Sequence, residues 1–297
     1  MKTIDPPAAS VRTRALRLGL PKGRMHDNIM SLLREAGIRV GVEPRGYRAT
    51  LDLAGFEVKI LKPQNIVEML HVGSRDLGFA GADWVAELDA DLVDLLDTGQ
   101  DPVSIVAAAP DSILEDGRLP DRPLTVASEY VELTRRWIEK EGLDARFVRS
   151  YGATEVFPPE DADCIVDNTA TGSTLRANRL TILDELMRSS TRLYANPRAL
   201  DDPTTRDRVE DLTLLLRSVI DARRRVMLEV NVPRDRLEAV VAILPCMREP
   251  TVSGLHAESG FAVKAAVPRR DLPQLVLSIK AAGGSDIVVS DLAQIVP

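Results

Sequence analysis

Between Asp163 and Arg176 the sequence passes from the apolar run Cys164-Ile165-Val166 onto Asp167. It then runs through hydroxyls grouped around Gly172 and into the start of a helix. A strand that turns at once into a helix commits its surroundings to a layered α/β fold, because each element must bury its apolar side against the other. The same turn reads as a phosphate cradle. Gly172 lets the backbone approach an anion, successive N–H groups point inward, and the hydroxyls of Thr171, Ser173 and Thr174 add donors. Asp167, at the strand's carboxyl end, is placed to accept hydrogen bonds from sugar hydroxyls, so a phosphorylated ribose satisfies both halves. An ordinary strand-to-helix turn, with Thr171 as the cap, fits the same residues. The loop lacks the lysine of a nucleotide loop and the second and third glycines of a dinucleotide fingerprint.

The rest of the chain continues the alternation. Strands are expected at 15–20, 76–81 and 103–109, with a hairpin over 48–61 turning at Ala54-Gly55 and helices over 25–36 and 63–70. A second α/β unit begins with a strand at 124–127, a helix capped by Ser128 with Trp137 inward and Gly142 at its end, and a strand at Phe147-Val148. The segment 180–193 leads back toward the first unit. Asp202-Pro203 opens a long helix with Leu212, Leu215, Leu216 and Val219 on one stripe. The remainder reads strand 226–232, helix 234–244, a hairpin of 251–255 and 261–267 around Glu258-Ser259-Gly260, helix 271–281, and strand 287–289. That order is βαββαβ, a ferredoxin-like module.

Hydrophobic residues make up 44% and charged residues 28% of the 297, an ordinary balance for a soluble globular protein of two or three domains. No apolar run is long enough to span a bilayer, and the first 14 residues have no apolar core of the kind a signal peptide needs. A disordered tail is expected there, and a cytoplasmic location for the protein. Cys164 and Cys246 are expected to be reduced and buried. The net charge of −7 argues against nucleic-acid binding, so an anionic ligand has to meet a local positive site or a metal ion. Lys22 and Arg24, at the carboxyl end of the first strand, are such a site, or else a solvated turn. The histidines, His26, His71 and His256, lie apart and suggest no zinc site.

Several stretches, in order, carry a resemblance. Leu18-Gly19-Leu20-Pro21-Lys22-Gly23-Arg24, Asp76-Leu77-Gly78-Phe79-Ala80-Gly81-Ala82-Asp83, Leu133-Thr134-Arg135-Arg136, Gly152-Ala153-Thr154-Glu155 and Asp167 through Asn178 resemble the motifs of the ATP phosphoribosyltransferase family. Ser190 to Pro197 resembles the return segment of that family, and the tail, with Glu249-Pro250-Thr251-Val252-Ser253, resembles the regulatory domain of its long form. Two departures stand out. The segment between Glu155 and Asp167 is one residue shorter than the usual pattern, with Glu160-Asp161 where a glycine is common. Asn168 replaces the usual aliphatic residue after the strand aspartate.

The resemblance implies a two-lobed catalytic region like a periplasmic binding protein, with lobe one from 15–106 and 190–222 and lobe two from 107–189. A ferredoxin-like regulatory domain follows over 223–297. It implies transfer of 5-phosphoribosyl from phosphoribosyl diphosphate to N1 of ATP, with pyrophosphate leaving and Mg²⁺ held mainly by substrate phosphates. Catalytic roles fall to Asp167, Glu155 and Lys22. Substrate contacts fall to Arg24, Asp76, Asp83, Thr169, Ala170, Thr171, Gly172, Ser173, Thr174 and Leu175. Feedback inhibition by histidine would act at Glu229, Thr251 and Ser253, in a homo-oligomer that shifts between dimer and hexamer. The alternative from another class is a two-lobed ligand-binding module without turnover.

Overall fold

The computed structural model describes residues 14–42, 46–256 and 259–296. Residues 1–13 of the expected tail lie outside the described residues, as do Ala257 and Glu258 of the expected hairpin turn. Arg14 is described, and it is anchored rather than free: its guanidinium pairs with Asp76 at 2.7 Å.

The chain forms two compact units. One comprises the chain up to Arg34 together with Ile38–Glu210; the other comprises Glu35–Gly37 and the chain from Asp211 onward. The first unit holds a single ten-stranded sheet. Its strands are β1 (Leu16–Pro21), β2 (Val40–Val42), β3 (Arg48–Leu51), β4 (Phe56–Leu61), β5 (Leu77–Gly81), β6 (Val93–Pro110), β7 (Leu124–Ser128), β8 (Ala145–Arg149), β9 (Cys164–Thr169) and β10 (Leu180–Ala195). Helices α1 (Met25–Glu35), α2 (Pro63–His71), α3 (Ala82–Glu87), α4 (Val131–Glu141) and α5 (Ser173–Ala177) connect or cover them. The strand order is β2-β3-β4-β1-β5-β10-β6-β9-β7-β8.

Two parallel groups lie at either end of this sheet. β1 pairs in parallel with β4 and β5, and β7 pairs in parallel with β8 and β9. Between them run β6 and β10, antiparallel to each other and each far longer than a typical strand. Buried on both faces, the central strands are apolar almost throughout, as in Ile105-Val106-Ala107-Ala108-Ala109 and Leu77 to Ala80. The first half of β6 was not expected as strand. There the chain takes positive φ at Gly99 (65°) and Asp101 (49°). Pairing with β10 nevertheless continues across them through register shifts between Ser189 and Arg192.

Helix α4 starts later than expected and is not capped by Ser128. Ser128 Oγ donates to the Val166 carbonyl (2.6 Å) and accepts the Tyr130 N–H (2.9 Å). The cap comes instead from Glu87 of α3, whose carboxylate accepts the N–H groups of Val131 (2.6 Å), Glu132 (3.0 Å) and Leu133 (3.0 Å). Gly142, at φ 65°, ends the helix as read from the sequence.

The second unit takes the later turns of α6 (Pro203–Arg223), where Ile295 N–H bonds to the Ser218 carbonyl. Its sheet contains β11 (Arg225–Val232), β12 (Thr251–Gly254), β13 (Phe261–Pro268) and β14 (Ser285–Asp291), in the order β12-β13-β11-β14 with every pair antiparallel. With α7 (Leu237–Val241) and α8 (Leu272–Ala281), this is the ferredoxin-like arrangement. Val226, Leu228, Val230, Val232, Val263 and Val267 point to the helix side and bury against Val240, Leu275 and Ile279. The helix expected over 234–244 is shorter: a 3₁₀ turn at Arg234–Arg236 precedes α7, and the chain leaves α geometry after Val241. Pro245 explains that end, since it disfavours helical backbone at Leu244. The Ile243 and Leu244 N–H groups accordingly bond three residues back, to Val240 and Val241.

Candidate active site

The register of the large sheet brings its two sets of parallel strands together at their carboxyl ends. Gly81, last in β5, pairs with Thr191, which pairs with Gln100 on β6. Thr169, last in β9, pairs with Ser104, so only Asp101, Pro102 and Val103 separate the two ends along β6. Ligands of open α/β sheets bind at the carboxyl ends of parallel strands, where loops splay apart. Here two such edges face each other across the crossing strands.

A cavity of about 330 Å³ opens at that junction, lined by Lys62 and Trp84 from one side and by Glu129, Arg149, Ser150 and Tyr151 from the other. None of these is among the site residues expected from the sequence. Their signal was positional: Lys62 follows β4, Glu129 follows β7, and Arg149 to Tyr151 end β8. Lys22 lies on the same edge, its N–H bonded to the Leu61 carbonyl at 2.8 Å and its ammonium 5.5 Å from the Tyr47 ring centroid. Arg24, one turn further, is exposed.

The loop after β9 is built as a concave turn. Gly172 takes φ 71°, a conformation side chains avoid, and its N–H bonds to Thr169 Oγ1 at 2.9 Å. Thr171 does not cap α5; its hydroxyl donates to Ser173 Oγ at 3.0 Å. Thr171, Ser173 and Thr174 are exposed, as is Ala170, and are open to a ligand. Leu175 is buried, which leaves only its backbone N–H for that role. Arg176 folds over the loop and donates to the Thr171 carbonyl at 3.0 Å, adding a cation that the sequence reading did not count.

Asp167 stands just before this loop. Burial pushes its pKa up to about 6, against the pull of the Asn168 N–H at 2.7 Å, and nearby Glu155 and Glu129 push the same way. Both glutamates therefore lie near Asp167, and Glu129 also lines the cavity. Glu155 is brought there by a 3₁₀ turn, Thr154–Val156, that follows Gly152 at φ 109° and Ala153 at φ 50°. The Ser150 and Thr154 hydroxyls bond at 2.7 Å beneath that turn.

Two expected site residues are buried and already hydrogen-bonded to other side chains. Asp76 precedes β5, at the opposite edge of the sheet, where it meets Arg17 in paired bonds at 2.7 and 3.0 Å. Burial opposes its charge, but Arg17 outweighs that and holds the carboxyl below the usual range. Asp83 is on the right edge yet 4% exposed, and both its oxygens are occupied, by Tyr130 Oη at 2.7 Å and Ser189 Oγ at 2.6 Å. Neither side chain is open to a substrate. Asp76→Asn is expected to lower stability by about 1–3 kcal/mol by leaving Arg17 without its counter-ion. The Michaelis constants should not change; a rise in either alongside an unchanged melting temperature would return Asp76 to the site.

Comparison with known proteins gives a consistent result. The family model described as HisG, ATP phosphoribosyltransferase, matches residues 62–218, and that described as HisG, C-terminal domain, matches 222–294. A protein of Desulforudis audaxviator named ATP phosphoribosyltransferase is 38% identical over 288 residues, covering 95% of this chain and 99% of its own. One of the same name from Pelotomaculum thermopropionicum is 36% identical over 293 residues, covering 95% and 99%. Among solved structures, the ATP phosphoribosyl transferase (HisG:HisZ) complex from Thermotoga maritima matches with a TM-score of 0.62 at 28% identity. That match covers 69% of this chain and 98% of the other.

Proposed function

The chain belongs to the ATP phosphoribosyltransferase family, and on that premise we propose that the cleft between the two strand edges holds phosphoribosyl diphosphate against ATP. The reaction is transfer of the 5-phosphoribosyl group to N1 of ATP, the first step of histidine biosynthesis. The N1 lone pair attacks the anomeric carbon, the bond from that carbon to the pyrophosphate oxygen breaks, and pyrophosphate departs with the electron pair. Adenine N1 carries no proton at neutral pH, so no base has to remove one. What the protein supplies is position and charge.

The observation that carries this reading is Asp167 beside the hydroxyl loop, where the carboxyl ends of the two parallel strand groups meet within one sheet. Backbone N–H groups and hydroxyls from Thr169 to Leu175, with Arg176, take the 5-phosphate. Asp167 and Glu155 take the ribose hydroxyls and face the carbon where positive charge develops. Lys22, Arg24 and Lys62 offset the departing pyrophosphate, and Trp84 with Tyr151 gives aromatic walls for a purine. The two strand groups joined through β6 and β10 support a two-lobed plan like that of periplasmic binding proteins, with the lobes at 15–106 plus 190–222 and at 107–189. The setting we propose is cytoplasmic.

Among the described residues no cluster of three metal-ligating side chains occurs. We propose that Mg²⁺ arrives bound to the substrate phosphates, as is common for this ion. Carried in that way, it would supply charge neutralisation on the pyrophosphate.

For the tail we propose histidine sensing, over 223–297. Glu229, Lys264 and Thr251 lie in one row across β11, β13 and β12, on the exposed face opposite the helices. Ser253 follows two residues on. Glu229 is already paired with Lys264 at 2.8 Å, so the histidine amino group would share or displace that partner. We also propose that the chain works as a homo-oligomer that shifts between dimer and hexamer.

An absorbance assay for phosphoribosyl-ATP tests both parts, using ATP, phosphoribosyl diphosphate, Mg²⁺ and pyrophosphatase. Product that histidine suppresses is the expected result, and Glu229→Gln should raise the half-inhibiting histidine concentration about tenfold. Binding of both substrates without any product would leave a ligand-binding module. Product indifferent to histidine would remove the sensing role from the tail.

A further inference from the structure

We infer that Tyr130 and Asn168 are positioning residues that transmit the docking of the two halves of the large sheet to the carboxylate of Asp167. The inference rests on the ribose-side role given to Asp167 above. Asp83, in the first turn of α3, belongs with the β1–β4–β5 half. It receives the Tyr130 hydroxyl at 2.7 Å and the Ser189 hydroxyl at 2.6 Å, and its own N–H donates to Ser189 Oγ at 3.0 Å. Tyr130 follows β7 in the other half, is 1% exposed, and stacks on Trp84 with ring centroids 4.9 Å apart. Its only proton points at Asp83, so its oxygen faces the remaining direction as an acceptor.

Asn168 fills that direction. Its side-chain amide donates to Tyr130 Oη at 3.2 Å and to Asp167 Oδ1 at 3.3 Å, and its backbone N–H donates to the same Oδ1 at 2.7 Å. A carboxamide nitrogen carries two N–H groups, so one side chain can serve the tyrosine and the acid together. An aliphatic side chain at this position would leave only the backbone donor. The chain Asp83–Tyr130–Asn168–Asp167 therefore runs from one half of the molecule to the proposed sugar site in the other.

Charge gives the link its consequence. The groups facing Asp167 are Glu155 from the 3₁₀ turn, Glu129 from the end of β7, and Asn168 from its own strand, with Tyr130 beyond. Burial and the two glutamates disfavour its ionised form; the Asn168 backbone N–H favours it, and the side-chain amide meets the same oxygen at 3.3 Å. Tyr130 stays protonated across the working range, because burial and Asp83 raise its pKa. When the halves are docked, Tyr130 holds the Asn168 amide and the amide holds one carboxylate oxygen, leaving the other for substrate. Loss of the amide should let the carboxylate turn and take up a proton at higher pH.

The test is steady-state kinetics of the full-length enzyme over about pH 5 to 9, with thermal unfolding alongside, for Asn168→Leu, Tyr130→Phe, the double variant and Asp167→Asn. Asn168→Leu is expected to raise KM for phosphoribosyl diphosphate about 5- to 20-fold, to change kcat by less than about twofold, and to leave KM for ATP unchanged. The acid limb of its kcat/KM profile should move to higher pH. Tyr130→Phe should reproduce the KM effect, and the double variant should be no worse than the worse single. Asn168→Ser gives the same readout if leucine perturbs the strand. Parent-like kinetics and acid limb in Asn168→Leu, or effects that multiply in the double variant, would overturn the link. Should Asp167→Asn be impaired while Asn168→Leu is not, the link fails and the site reading stands. Should Asp167→Asn itself be fully active, the site reading fails and the link goes with it.

Discussion

Asp167→Asn is expected to lower kcat/KM by about 10²- to 10⁴-fold while leaving the protein at least as stable as the parent. The activity estimate follows from two charged hydrogen bonds to ribose, each worth roughly 1.5–3 kcal/mol, at about 1.4 kcal/mol per tenfold. The stability estimate follows from burial. Asp167 titrates near 6 in the folded protein, above an ordinary aspartate, so folding favours its protonated form. Its ionisation therefore takes stability away as the pH rises from the usual carboxylate range through about 6, and the loss is reversed below it. Asparagine has no charge to bury. The melting temperature of Asp167→Asn should match the parent near pH 4 and exceed it above about pH 6.5, by the equivalent of roughly 2 kcal/mol. Loss of both activity and stability would mean that Asp167 holds the fold together; unchanged activity would remove it from the sugar site.

What could be read from sequence depended on whether a residue's job was local. The Asp167-to-Arg176 turn, the glycine ending α4, and the alternating tail strands are set by neighbours in sequence, and they stand in the structure much as periodicity implied. Residues whose partners come from distant elements are not legible in this way. Asp76 and Asp83 both flank an apolar strand next to a helix, the position of a ligand-binding acid. Nothing nearby reveals that Arg17 or Tyr130 is waiting for them. Lys62, Glu129 and Arg149 were missed for the converse reason: each is unremarkable alone, and only the sheet order makes their strand ends converge. Asn168 is visible in the sequence as a departure, but its partner Tyr130 comes from a distant element.

The largest effect on stability is expected at Glu87, a residue with no site role. It is 5% exposed, and its carboxylate receives three consecutive N–H groups at the start of α4, which a helix otherwise leaves unsatisfied. The negative charge also opposes the positive end of the helix dipole. Removing it strands those donors in a place water does not easily reach, whereas an exposed capping residue would merely be replaced by solvent. Glu87→Ala should therefore cost about 3 kcal/mol, or roughly 6–12 °C in melting temperature for a unit of this size. Glu132→Ala is the contrast: it removes an acid from the same helix turn, but an exposed one paired with Arg135, and should change stability by less than about 0.5 kcal/mol. Equal effects from the two would mean that dipole charge, and not the buried hydrogen bonds, holds α4. Because Glu87 lies on α3 and the donors on α4, the same substitution also loosens the contact that brings Tyr130 to Asp83. Activity in Glu87→Ala should thus fall through KM for phosphoribosyl diphosphate before the protein unfolds. A variant with a lowered melting temperature and parent-like KM at 25 °C would show that the cap stabilises the helix without aligning the site.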